Sequence, residues 1–135
     1  MSHKCAASGA DGPISYLKEL SGRRIEDARR RAGLTQVQLA KDLGMGTRWL
    51  REIESGNPKS RLEDHLRCAY ALGLATGHIL IPLIFYSHEI CYPAQLISGD
   101  LRDLERLCIE TISDYNEQLV RQITPHWRRT TASAA

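Results

Sequence analysis

No two of the four cysteines, Cys5, Cys68, Cys91 and Cys108, stand close enough to form a CxxC pair. That spacing speaks against a zinc site and against a thioredoxin-like redox motif. The five histidines show no HxxxH spacing, and HExxH, GxSxG and Walker loops are all missing. Asp64 and His65 are neighbours in an expected helix, so they should point apart rather than act as an orienter and its base. The chain is therefore not expected to be an enzyme, and no metal or cofactor is expected. A long apolar run is missing too. The most apolar stretch, Ile79 to Tyr86, falls far below the ~20 residues a membrane span needs, and it contains Pro82. It is expected to form a buried helix. Met1 to Pro13 is small and polar, with no apolar core run. No secretory signal is expected there, and reduced thiols in a cytoplasm fit the pattern.

The net charge of +2 in 135 residues hides an uneven distribution. Residues 21–61 carry ten Lys and Arg against five acids, net +5. Residues 62–135 carry six basic residues against nine acids, net −3. A basic block followed by an acidic one suggests one part that faces a polyanion and one part with another task.

The apolar periodicity is helical throughout. "MSHKCAASGADGP" lacks it and is expected to be a disordered arm, with "ISYLKEL" adding a short extra turn. A first helix is expected from Ser21 as N-cap to Ala32, with Ile25, Ala28 and Ala32 on one face. A second should start after Thr35, where Thr35 and Gln38 have capping-box spacing, and stop at Gly44. A third should run from Thr47 to about Ser55, with Leu50 and Ile53 inward. A fourth should start at Ser60, with Glu63 completing a second capping box, and close at Gly73. A fifth should start near Thr76. "SHEICYPAQLI" has no firm assignment, although Pro93 argues for a connection. A last long helix should start after Ser98 and reach about Ile123. Leu101, Leu104, Cys108, Ile112, Tyr115, Leu119 and Ile123 form a single apolar stripe along it. Glu105, Glu110, Asp114 and Glu117 should make its outer face acidic.

The third helix raises a question, because most of its side chains pack against nothing. Thr47, Arg48, Arg51 and Glu52 are left free while Leu39, Ala40, Leu50 and Ile53 pin it to the helix before. A helix that enters the DNA major groove needs such a supporting partner, free side chains of suitable reach and basic residues beside it. Here "AGLTQVQLAKDLGMGTRWLREIESG" and "LEDHLRCAYALGL" resemble the helix-turn-helix domain of lambda-type phage repressors and Cro proteins, the Xre-like family. The resemblance covers roughly half of the chain. It implies an all-α, five-helix lambda-repressor-like domain, followed here by the long amphipathic C-terminal helix.

The resemblance also implies residue roles. Thr47, Arg48 and Glu52 match positions that reach base edges. Gln36 matches a residue that bonds a phosphate and steadies the recognition helix, and Arg51 joins it as a phosphate or supporting residue. Lys59 and Arg61 lie in the loop that follows the sugar-phosphate backbone. Arg29 and Glu54 match a partly buried ion pair. The sequence departs from the family at Gly46, a weaker cap than Ser or Thr. Trp49 replaces a small residue near the DNA surface, where it either packs over a sugar or phosphate or hinders close approach.

Three segments are therefore expected: an arm at 1–20, a DNA-binding domain at 21–86 and a connection with the C-terminal helix at 87–135. For the stripe Leu101, Leu104, Cys108, Ile112, Tyr115 and Leu119, pairing with a second copy is favoured over packing back as core. The expected partners are double-stranded DNA and a second copy, with no membrane. The expected function is a sequence-specific DNA-binding transcriptional regulator, a repressor acting as a homodimer on a palindromic operator. The alternative is an antitoxin or adaptor whose C-terminal helix binds a partner protein.

Overall fold

The computed structural model describes residues 12–125 and 127. The fold is all-α: six α-helices and one 3-10 turn, with no strand among the described residues. The helices are α1 (Pro13–Arg31), α2 (Gln36–Leu43), α3 (Thr47–Glu54), α4 (Leu62–Ala71), α5 (Gly77–Ser87) and α6 (Arg102–Ile123). Ala94–Leu96 forms the 3-10 turn. Two compact units divide the chain, the first ending at Leu101 and the second beginning at Arg102.

In the first unit, Ile25, Leu39, Ala40, Leu50, Ile53 and Cys68 form the buried cluster. Leu34, Leu43, Met45, Trp49, Leu72 and Leu74 pack around it. Each helix from α1 to α4 thus gives one apolar stripe to a shared centre, as amphipathic helices in water must. The α2 start follows the sequence directly. The Gln38 backbone N–H donates to Thr35 Oγ1 at 3.1 Å, and the Thr35 N–H donates to Gln38 Oε1 at 2.9 Å.

α1 differs from its expected form. It begins at Pro13, so "ISYLKEL" is helical as expected but belongs to one continuous helix with residues 21–31 rather than to a separate short turn on an arm, while residues 1–11 lie outside the described residues. Pro13 suits a first helical turn, where its missing N–H costs nothing, and Leu17 is buried. Ser21 is not a cap but a buried residue inside the helix. Gly22 follows it because α3 crosses here at close range. A Cβ at Gly22 would meet the carbonyl oxygens of Ile53 and Glu54 at 2.6 Å. Gly56 repeats the device: its φ is +72°, and a Cβ there would lie 2.6 Å from the Glu19 Cα. Replacing Gly22 with Ala should therefore push α1 and α3 apart and cost about 1–3 kcal/mol. Urea denaturation at fixed protein concentration would measure it; an unchanged midpoint would show that the crossing has slack.

α4 also starts later than expected, at Leu62 with Arg61 as N-cap and no side-chain cap. The Ser60 hydroxyl is committed elsewhere. It donates to the Asn57 carbonyl at 2.6 Å, and His65 Nε2 lies 2.9 Å from it. The connection after α5 belongs with the first unit. Arg24 Nη2 donates to the Ile97 carbonyl, and the Phe85 and Tyr92 rings meet edge to face at 5.4 Å. Cys68 and Cys108 are free thiols, whereas Cys91 is disulfide-bonded, a departure from the reduced thiols expected. Burial pushes the Cys68 thiol up to about 11, which keeps it unreactive.

The second unit contains α6. None of its residues is buried, and Ile112, Tyr115, Leu119 and Ile123 are exposed. Leu107, Ile109 and Val120 are exposed beside them, so the apolar surface is wider than the single expected stripe. Leu104 and Cys108 are half-buried. Leu101 does not belong to that stripe. It precedes the helix and is buried, so it cannot offer its side chain to a partner.

Candidate nucleic-acid interface

α3 carries the outward face. Its inner side is fixed by Leu50 and Ile53, both with no exposed surface, and by Glu54. Gly44, with φ 67°, ends α2 in a left-handed turn, and Gly46 opens α3 without a side-chain cap. Around the start of α3 lies an open hollow of about 500 Å³, lined by Gly46, Arg48, Trp49, Glu52, Asn57 and Lys59. Arg48, Arg51, Lys59 and Arg61 are exposed, and Thr47 is half-buried. The hollow thus presents cationic side chains on a rigid base, an arrangement suited to a polyanion.

Behind α3 runs a continuous polar brace. Arg29 Nε and Nη2 donate to the two Glu54 carboxylate oxygens at 2.6 and 3.2 Å. Arg29 Nη1 also donates to the Leu34 carbonyl at 2.8 Å. The hydrogen bond to Glu54 raises the Arg29 pKa above its ordinary value, against the effect of burial. Gln36 Nε2 donates to Glu54 Oε2 at 2.9 Å, and Gln36 Oε1 accepts from Arg51 Nε at 3.1 Å. The amide of Gln36 is thus held from both ends. It transmits the position of the ion pair to the exposed guanidinium of Arg51.

A second brace comes from α4. The Trp49 indole N–H donates to Asp64 Oδ2 at 2.7 Å, and its ring packs beside the core. Arg67 pairs with Asp64 at 3.3 Å and donates to the Leu43 carbonyl at the end of α2. One carboxylate therefore ties α3 and α4 together, and its Arg partner reaches α2. The large residue at 49 is thus anchored to α4 through its indole N–H while it still lines the hollow beside Arg48.

Glu52 is half-buried, and its carboxylate accepts from the Asn57 side-chain amide. Asn57 Oδ1 in turn accepts the Lys59 backbone N–H at 2.9 Å. Glu52 is directed at the loop after α3 instead of standing free. That loop is also gripped from α1, where Lys18 Nζ donates to the Pro58 carbonyl at 2.7 Å. Asn57, Arg67 and Lys18 escaped the sequence reading, and Asp64 entered it only as the neighbour of His65. Asn57 before Pro58 has the residue types of a helix end and nothing more, and the pairings of Asp64, Arg67 and Lys18 span 15 to 40 residues.

His65 has no exposed surface and sits between Ser21 Oγ at 2.8 Å and Ser60 Oγ at 2.9 Å. Ser60 spends its proton on the Asn57 carbonyl, so it can only accept from the ring. This places the imidazole proton on Nε2 and leaves Nδ1 to accept from Ser21. Burial, reinforced by the Lys18 ammonium and opposed by Asp64, lowers the His65 pKa to about 4. Asp64 and His65 do point to different partners, as adjacent helical residues must.

Residues 22–78 match a family model described as a helix-turn-helix domain, which spans α2, the Gly44–Gly46 turn and α3. The match is consistent with the lambda-repressor-like resemblance of the sequence. No curated protein and no solved structure matches the chain. The helix-turn-helix domain points to a DNA-binding regulator. Among the described residues, no helix is long and apolar enough to cross a membrane.

Proposed function

We propose that the protein is a sequence-specific transcriptional regulator, a repressor that docks α3 of its helix-turn-helix domain in the DNA major groove. The observation that carries this reading is the division of α3. Leu50, Ile53 and Glu54 are locked inward, while Arg48 and Arg51 stand exposed beside Lys59. Arg48 is the base reader, because a guanidinium can bond guanine O6 and N7 together. Thr47 and Glu52 flank it, and Glu52 reads through the orientation that Asn57 gives it. Lys59, Arg61 and Arg51 meet phosphates, with Gln36 as the support of Arg51. Trp49 forms part of the hollow's wall and is held there by Asp64.

The exposed apolar surface of α6 fits pairing with a second copy, through Leu104, Cys108, Ile112, Tyr115 and Leu119. A homodimer would set two recognition helices about 34 Å apart and select a palindromic operator. Occlusion of a promoter then gives repression. The same surface favours a second reading, in which α6 binds a different protein, as in an antitoxin or adaptor. The mass of the purified protein in solution separates the two: a dimer supports the first, and a monomer that shifts only with a partner supports the second.

Selection of bound sequences from random duplexes tests the reading directly. An enriched palindrome supports it, and an unenriched pool contradicts it. On the selected duplex, Arg48→Ala should cost about 1–3 kcal/mol and relax preference at one base pair of each half-site. A phosphate-only role would instead weaken every sequence alike and lower the salt slope of log K by about 1.

A further inference from the structure

α6 exposes more apolar surface than a pair of helices can cover. Nine of its 22 residues are apolar, from Leu104 to Ile123. A two-stranded seam uses about two residues in seven, which is about six in a helix of this length, whereas a helix inside a bundle uses about three in seven, which is about nine. At about 100° per residue, the apolar arc runs from Leu107 to Val120 across about 220° of the helix circumference. The charged residues between Leu107 and Ile123 are Glu110, Asp114, Glu117 and Arg121, and all of them fall in the remainder. No residue of α6 is buried, and Leu107, Ile109 and Val120 near the borders of the arc are exposed. A two-helix contact centred on Cys108, Ile112 and Leu119 would leave these borders largely in water. Contiguous apolar surface this broad marks an interaction site.

The spacing along the helix points the same way. Leu104 and Tyr115, Cys108 and Leu119, and Ile112 and Ile123 each stand eleven residues apart. An eleven-residue repeat favours a right-handed winding, not the left-handed supercoil that keeps two narrow heptad seams in contact. Helices that meet through broad faces accommodate it.

We propose that α6 joins four copies of this chain in a four-helix bundle, so that one assembly holds two DNA duplexes at once. This rests on the readings of α6 as a self-pairing helix and of α3 as the reading helix, and it adds a second pairing to the first. Identical copies are the occupants because the arc from Leu107 onward carries no charge pattern that would select a different protein. Four is the number because a two-fold operator needs copies in pairs, and a ring of three contains no two-fold axis. Two pairs carry two DNA-reading surfaces.

The test uses the full chain. Light scattering should give four times the mass of one chain. A duplex from the random-sequence selection, fixed to beads, should bind the protein and then retain a second, labelled copy of the same duplex. Ile109→Gln with Val120→Gln makes one border of the arc polar. This double variant should have half the mass and bind a single duplex within about twofold of the unaltered protein, because the altered sites are distant from α3 in sequence and belong to another unit. Its capture of the second duplex should fall by about tenfold or more. A dimeric unaltered protein overturns the proposal and leaves the pairing reading standing, whereas a monomer overturns both. A tetramer that binds the first duplex and captures no second overturns the proposal alone, as does a double variant that stays tetrameric. A tetramer that binds no duplex overturns it together with the α3 reading.

Discussion

Glu54→Ala is expected to destabilise the helix-turn-helix domain by about 3–5 kcal/mol, the usual cost of stranding one partner of a buried ion pair. The Arg29 side chain would keep only its bond to the Leu34 carbonyl, in a site where it is 7% exposed. Gln36 Nε2 would lose its acceptor as well, and the Arg51 support would loosen. Urea denaturation at fixed protein concentration measures the loss. Replacing both Arg29 and Glu54 with Met should cost much less than Glu54→Ala, because no charge is then left without a partner. Equal losses in the two variants would mean that the pair acts by shape rather than by charge.

The second large effect is a loss of stability in mild acid. The His65 imidazole titrates near 6.5 when unfolded and at about 4 in the folded protein. Between those values the unfolded chain binds a proton that the folded chain refuses. Stability from this group is therefore complete above pH 6.5 and declines as pH falls, until it is gone below about 4. At 1.36 kcal/mol per pH unit the full change is about 3 kcal/mol. Protonation would force a second ring N–H toward Ser21, which lies between the buried faces of α1 and α4. The difference in unfolding free energy between the unaltered protein and His65→Gln, followed from pH 7.5 to 4.5, isolates the effect from nearby carboxylates. The difference should shrink steadily with acid. A difference constant with pH would assign the window to other groups.

Much of this architecture was legible in advance, for a physical reason. Helices announce themselves through local signals, and α2 shows it best: Thr35 and Gln38 lie three residues apart and close the capping box between them. Leu50 and Ile53 likewise fall on one face of α3 by spacing alone. The errors came where a distant partner decides a residue's role. Ser21 and Gly22 look like a helix start in isolation. In the fold they are the places where α1 meets His65 and the backbone of α3. Ser60 resembles a cap until the same histidine claims it. For Trp49 the sequence leaves packing over a sugar or phosphate and hindrance of close approach both open, and its hydrogen bond to Asp64, 15 residues away, is a tertiary contact the sequence does not announce. Leu101 kept the helical spacing of its stripe but stands outside α6. Among the supports, Gln36 and the Arg29–Glu54 pair were expected from the resemblance and are bonded to one another, whereas the braces from Asn57, Asp64 and Arg67 depend on tertiary contact that helix periodicity does not announce.

The most direct measurement is an NMR titration of the full chain with a duplex taken from the random-sequence selection, read residue by residue. The largest shifts should fall on Thr47, Arg48, Arg51 and Lys59, with Leu50 and Ile53 unmoved in their packing. Tight binding that leaves Thr47 and Arg48 undisturbed, with shifts gathered on α5 or α6 instead, would contradict the central claim that α3 is the reading helix.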